Sequence, residues 1–201
     1  MKYYHGTTRI NAEKILQNGF RESNFIIFNI VRNSKIKKIK VPGSLGYGTY
    51  VFIDDSELAL QFGRKFSNDP VVLEVAIDLH DEDNILDLTN SKIYKQFQKF
   101  ASIAQQVESA SSIFKEFYKQ KAIRGTAQDV YAGIMTELFI LYLKNKKNID
   151  IRFVKKDTET LLPPNDKGYQ RLGLPNGTEL TIRYPRQDVK NIKVKEWLWC
   201  E

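Results

Sequence analysis

Two periodicities divide this chain, and together they limit the folds open to it. Segments that alternate apolar and polar residues lie toward both ends, and segments whose apolar residues recur every three or four positions fill the middle. Near the C-terminus "ELTIRYP" sets Leu180, Ile182 and Tyr184 on one face and Glu179, Thr181 and Arg183 on the other. Residues 2–5, Thr49 to Ile53, the β-branched "VVLEVAIDL" from Val71, "NILDLT" and about Ile149 to Lys155 also read as extended. Ala12, Ile15, Leu16 and Phe20 predict a helix over Ile10 to Asn18, with Gly19 as its C-terminal cap and His5 where strand turns into helix. A second helix is expected from Ser56 to about Phe66 on a face of Leu58, Phe62 and Phe66, opened by a capping box of Asp54 and Glu57. From Ser91 to Ile123 one stripe runs through Ile93, Phe97, Phe100 and Ala104 and another through Ile113, Phe114 and Phe117. A further helix carries Tyr131, Ile134, Met135, Leu138, Leu141 and Tyr142 and stops at "KNKKN". Strands at both ends around a helical insertion of about 91–145 predict an α+β fold.

The chain has 201 residues, no repeats and no Gly/Ser linker, which predicts a single domain over 1–201 with one core. Its lone cysteine, Cys200, excludes an intrachain disulfide and a cysteine metal cage, and fits a reducing cytosol. The longest clearly apolar run, "LFILYL", is far shorter than the ~20 residues a membrane helix needs, and no signal-peptide pattern precedes His5. The expected localisation is cytoplasmic. Lysine and arginine exceed aspartate and glutamate, 31 against 24, a surplus that steers toward polyanions and that equally serves plain solubility. "RNSKIKKIK", 32–40, concentrates that charge; it also suits an exposed edge guarded by lysines. His80 followed by Asp81, Glu82 and Asp83 invites a metal reading, but adjacent acids in a turn are ordinarily solvated, and no metal is expected.

Three short motifs carry the chemistry. "YHGTTRINAEKILQNGF" places His5 before a helix, "GYGTYVFIDDSELALQF" leads a glycine-rich turn into a strand and helix, and "TELTIRYPRQDVKNIKV" opens on Glu179. The glycine turn lacks the lysine of a phosphate loop and the spacing of a dinucleotide fingerprint. In this order the three motifs resemble those of the ADP-ribosyltransferases of the His-Tyr-Glu class, which includes the poly- and mono-ADP-ribosyl polymerases and diphtheria-like toxins. The resemblance covers about residues 2–20, 44–66 and 176–194. It implies split antiparallel sheets around an NAD cleft, with His5, Tyr50 and Glu179 as the catalytic set and His5, Gly6, Thr7, Tyr50 and Phe62 as the NAD-binding residues. NAD would be the co-substrate. Cleavage of the bond between nicotinamide and ribose builds positive charge on the sugar, which a fixed carboxylate stabilises; Glu179 is assigned that role. Tyr50 and Phe62 would stack on the nicotinamide, His5 would hold a ribose hydroxyl, and Gly6 would let its main chain approach the carboxamide.

Two positions depart from the family pattern. Ala59 stands where many relatives carry a serine that binds the carboxamide. Gly177, two residues before Glu179, replaces the Glu or Gln of relatives that modify arginine or asparagine, which argues against those acceptors. The implied activity is mono-ADP-ribosyl transfer to a macromolecule. Nucleic acid, RNA or DNA, is favoured by the basic balance and by relatives among bacterial toxins and phage-defence enzymes, with a neutralising antitoxin as partner; a protein acceptor is the alternative. A non-enzymatic reader of NAD or ADP-ribose and an NAD hydrolase using water are the rival readings. Glu137, at the flank of a buried helical stripe, is the rival carboxylate, and a structural partner or solvent is its expected fate.

Overall fold

A computed structural model describes residues 1–23, 42–79, 84–104, 130–160, 162 and 174–196. The lysine-rich run 32–40, the His80 to Asp83 cluster, the stripe of Ile113, Phe114 and Phe117, Cys200 and most of the loop before Asn176 lie outside these residues. The fold is α+β, with seven strands and five helices among the described residues. The strands are β1 (Tyr3–Thr8), β2 (Thr49–Ile53), β3 (Pro70–Ile77), β4 (Ile85–Asp87), β5 (Phe153–Thr158), β6 (Gly177–Ile182) and β7 (Val189–Val194). The helices are α1 (Arg9–Asn18), α2 (Ser56–Arg64), α3 (Ser91–Ala104), α4 (Val130–Lys147) and α5 (Pro185–Asp188). Where the resemblance implies split sheets, the strands are ordered in one, β4-β5-β6-β2-β1-β3-β7.

Two compact units divide the chain: Met1–Glu22, Thr49–His80 and Lys156–Glu201 form the first, Ser23–Gly48 and Asp81–Lys155 the second. In the first unit β1 is central and pairs antiparallel with β2 and β3; β2 pairs antiparallel with β6, and β3 with β7. Helix α1 starts at Thr8, whose hydroxyl accepts from the Asn11 N–H, and ends at Gly19 with φ of 70°, where the Gly19 N–H reaches the Ile15 carbonyl. Ala12 of this helix packs with Val71 and Leu73, with Ile15 and Ile192 at the margin. On the other face α2 covers Tyr4, Phe52 and Val72 with Leu58 and Ala59.

The approach of α2 to β1 is too close for any side chain on Gly6. A Cβ there would lie 1.7 Å from the Ala59 carbonyl oxygen, and one on Gly63 would lie 2.9 Å from Pro70 and 3.2 Å from the Thr7 nitrogen. Two glycines, one on each partner, therefore let helix and strand backbones meet.

The second unit contains α3 and α4, which meet through aromatic side chains: Phe139 lies 5.5 Å from Phe97 and 5.1 Å from Phe100, ring centre to ring centre. Strand β4 pairs parallel with the first residues of β5, Ile85 opposite Phe153. Glu137 is buried on α4, and its Oε1 accepts from the Tyr47 main-chain N–H at 2.7 Å. Gly46, with φ of 87°, leaves the room this carboxylate needs, since a Cβ would come 2.3 Å from Glu137 Oε1. Of the two fates expected for Glu137, a structural partner or solvent, the first is found.

Several boundaries differ from expectation for local reasons. β1 continues past residue 5 to Thr8, because every residue from Tyr3 to Thr8 pairs with β3; His5 lies within the strand rather than at its turn. Asp55, not Asp54, caps α2, accepting from the Leu58 N–H at 2.8 Å; Asp54, at φ of 53°, instead accepts from the Lys2 N–H. β5 begins at Phe153 rather than near Ile149, because Asn148 turns with φ of 55° and the Ile149 N–H folds back onto the Leu143 carbonyl.

Two substitutions check this packing. Gly6→Ala should lower unfolding free energy by roughly 3 kcal/mol or more in denaturant titration, since backbone rather than a yielding side-chain tip meets the new methyl. Glu137→Ala should lose about 1–3 kcal/mol, the cost of a buried main-chain N–H left without its acceptor.

Candidate functional site

β1 and β2 begin as close partners and then part. Lys2 and Asp54 exchange main-chain and side-chain hydrogen bonds, Tyr3 pairs with Ile53 and Tyr4 with Phe52, and there the register ends. β1 keeps its partner β3 through Thr8, and β2 keeps β6 from Phe52 back to Thr49. The parting leaves His5, Gly6 and Thr7 facing Thr49, Tyr50 and Val51 without ladder pairing. A carbonyl at such a gap needs another donor. The Tyr50 carbonyl finds it in His5, whose Nδ1 lies 2.8 Å away.

That contact sets the imidazole's tautomer. A carbonyl only accepts, so Nδ1 carries the proton and the neutral ring presents Nε2 as an acceptor. Burial pushes the His5 pKa below its ordinary value, and the bond to Tyr50 only partly opposes the shift. His5 is thus neutral at physiological pH, suited to accept a hydroxyl proton. Its ring packs edge-on against Phe20, 5.1 Å between centres.

Glu179 stands on β6 opposite Phe52 of β2, and its side chain is buried, 8% exposed. The Thr160 hydroxyl donates to Oε1 at 2.7 Å, and the Thr158 hydroxyl lies 3.4 Å from that of Thr160. Burial pushes the Glu179 pKa above the ordinary glutamate value; the Thr160 and Thr158 hydroxyls, Lys65 and Lys156 pull the other way. Lys65, which closes α2, has its own pKa lowered by burial, against the opposing influence of Glu179. Its ammonium sits 4.9 Å from the centre of the Phe62 ring, and Phe62 in turn packs edge-on against Phe52.

Strand alternation sorts these groups by face. Gly177 and Gly6 both face α2, since Cβ atoms there would meet Leu58 and Ala59. Glu179, two residues after Gly177, shares that side, as does Tyr50, paired with Thr181. Glu179, Tyr50, Phe62 and Lys65 therefore belong to the α2 side. His5 pairs with Leu73, which packs under α1, so His5 and Thr7 take the α1 side. His5 joins the others through the plane of the sheet, by way of the Tyr50 carbonyl.

The glycine at position 6 has a packing reason beside the one expected. The room beside its Cα is filled by the Ala59 carbonyl, so what Gly6 offers a ligand is its main-chain edge. Ala59 is fully buried and brings no hydroxyl. Gly177 is explained by packing too, because a side chain there would displace the tip of Leu58. Sequence reasoning missed Lys65, Thr158, Thr160 and Lys156. The two threonines were visible only as hydroxyls two positions apart in "TET", a spacing that puts both on one side of an extended segment.

Among the described residues no group of three His, Cys, Asp or Glu is placed to hold a metal, and no helix is long and apolar enough to cross a membrane. The chain matches no family model, no curated protein and no solved structure.

Because the folded-state pKa of Glu179 is raised, its protonated form is favoured by folding. This stabilising contribution is complete below the unfolded pKa and is lost as pH rises through the folded value. Glu179→Gln, which cannot ionise, should gain thermal stability relative to the natural chain near pH 7 and lose that advantage near pH 4; a variant that melts lower at both pH values contradicts the assignment.

Proposed function

We propose that the chain is an NAD-dependent mono-ADP-ribosyltransferase whose substrate lies across the parting of β1 and β2. The observation that carries this reading is Glu179, a carboxylate taken out of water yet supplied with hydroxyl donors and cations, on the strand next to that parting. The motif order His5, Tyr50, Glu179 supports the same reading. The parting matters because it is where groups from the two sides of the sheet can meet one ligand. From the α1 side His5 Nε2 accepts a ribose hydroxyl. From the α2 side Tyr50 and Phe62 flank the nicotinamide; the Gly6 main-chain edge meets the carboxamide at the parting, and Thr7 adds its hydroxyl from the α1 side.

In the reaction the bond between nicotinamide and the anomeric carbon breaks, and nicotinamide leaves with the electron pair. Positive charge grows on the ribose, and the Glu179 carboxylate, already desolvated, stabilises it without waiting for solvent to reorganise. The acceptor then forms the new bond to the anomeric carbon and gives up its proton to Glu179 or to water. Only ionised Glu179 performs this work, so activity falls with acid at a pH above the ordinary glutamate range. Nucleic acid is the favoured acceptor, supported by the net charge of +7. A cytoplasmic effector of this kind would need a neutralising partner.

The test is incubation of the full chain with NAD labelled in its adenylate half and a cell lysate, followed by nuclease or protease digestion, with nicotinamide release measured in parallel. Macromolecular label removed by nuclease, and release reduced about 100-fold in Glu179→Gln, are the expected results. Label removed by protease alone assigns a protein acceptor, and full release without any macromolecule makes the chain a hydrolase. NAD bound tightly with no nicotinamide released makes it a reader, and undiminished release by Glu179→Gln removes the mechanism.

A further inference from the structure

The base of the β5 to β6 connection is built more precisely than a connection requires. The Thr160 main-chain N–H donates to the Asn176 side-chain oxygen at 2.7 Å, and the Asn176 amide nitrogen returns a hydrogen bond to the Thr160 carbonyl at 2.8 Å. The Asn176 main-chain N–H also donates to the Thr158 carbonyl at 3.0 Å. Three hydrogen bonds thus fix the main chain at two positions, 158 and 160, whose hydroxyls converge on one carboxylate. Next to this clamp the Thr178 hydroxyl donates to Asp157 at 2.7 Å, tying the same two strands once more. Asn176 is itself exposed, so burial does not force it to make these bonds.

We infer that Thr160 is a positioning residue for Glu179: its hydroxyl, oriented by the Asn176 clamp, holds Oε1 in a fixed direction. An ionised carboxylate only accepts, so the Thr160 hydroxyl must donate its single proton to Oε1. The Thr158 hydroxyl stands 3.4 Å from that of Thr160 and also bonds the Glu179 carboxylate, so two hydroxyls meet one acid. A carboxylate on a two-carbon arm would otherwise rotate, and a misdirected charge stabilises a developing cation poorly. Burial favours the protonated acid, and the hydroxyl donor acts against it.

The catalytic part of this inference rests on the reaction proposed above; the electrostatic part does not, and the experiment separates them. Glutamate labelled with carbon-13 at its side-chain carboxyl is incorporated in the full chain, and the Glu179 signal is assigned by its loss in Glu179→Gln. Titration by NMR then compares the natural chain with Thr160→Val and Thr160→Ser. The expected result is a Glu179 midpoint moved to higher pH in Thr160→Val and restored in Thr160→Ser. In parallel, kcat for nicotinamide release should fall roughly tenfold in Thr160→Val with KM little changed. The acid limb of the rate profile should move to higher pH with the Glu179 midpoint, a shift that a loss of folded protein does not produce.

Asn176→Ala keeps the hydroxyl but releases the Thr160 main chain, and should move the midpoint in the same direction; it decides the matter if Thr160→Val does not fold. A folded Thr160→Val or Asn176→Ala whose Glu179 titrates like that of the natural chain overturns the inference. A natural chain that releases no nicotinamide removes the reaction, and the titration still decides whether Thr160 controls Glu179.

Discussion

One gap governs the arrangement of the first unit. β1 can satisfy β3 along its whole length, but it satisfies β2 only at Tyr3 and Tyr4. Beyond that point the main chains of two neighbouring strands lose each other, and buried main-chain polar groups tolerate this only where a substitute is supplied. The imidazole of His5 is one such substitute. It completes the Tyr50 carbonyl and, by the same bond, fixes which of its own nitrogens carries a proton. A structural need and a chemical capability are met by one hydrogen bond.

The carboxylate is treated differently. Glu179 lies where an isolated charge is unfavourable, and nearby groups mitigate that instead of removing it: two hydroxyls, one lysine closing α2 and another on β5. An apolar residue at 179 would fit a strand buried on both faces with less difficulty, since Leu180, Thr181 and Ile182 are all withdrawn from solvent. Retaining an acid in such surroundings is the kind of local conflict that marks function more often than stability. Glu137 in the second unit is the contrasting case. It too is buried, but it serves a main-chain N–H beside a glycine that makes room for it, and that role accounts for it.

Much of the fold was legible wherever a single period ran without interruption. The limits of β2 and the C-terminal limit of α1 follow directly from alternation, helical spacing and Gly19. Boundaries set by tertiary pairing were not legible. Nothing in "YYHGTT" announces that β1 runs three residues beyond His5, because its length is dictated by β3. The start of β5 was hidden likewise by a turn at Asn148 that only its positive φ reveals. Of the site, the motif residues could be named in advance, and their environment could not. Alternation in "ELTIRYP" sorted its residues onto two faces, but it did not show that the polar face is buried as well, with Glu179, Thr181 and Arg183 all withdrawn from solvent. Thr160 meets Glu179 from nineteen residues away in sequence, and such a pairing has no local signature.

The strand order also carries a consequence in time. β1 and β2 are made early, but the strand that completes this side of the sheet, β6, begins at Gly177. During synthesis the histidine and tyrosine leave the ribosome long before their carboxylate does, and contacts of such long range are slow to close. Until the last part of the chain emerges, the first unit has an unpartnered edge at β2 and no acid beside it. A nascent or truncated chain ending before residue 177 would therefore lack Glu179 and be prone to pair its open edge with another chain.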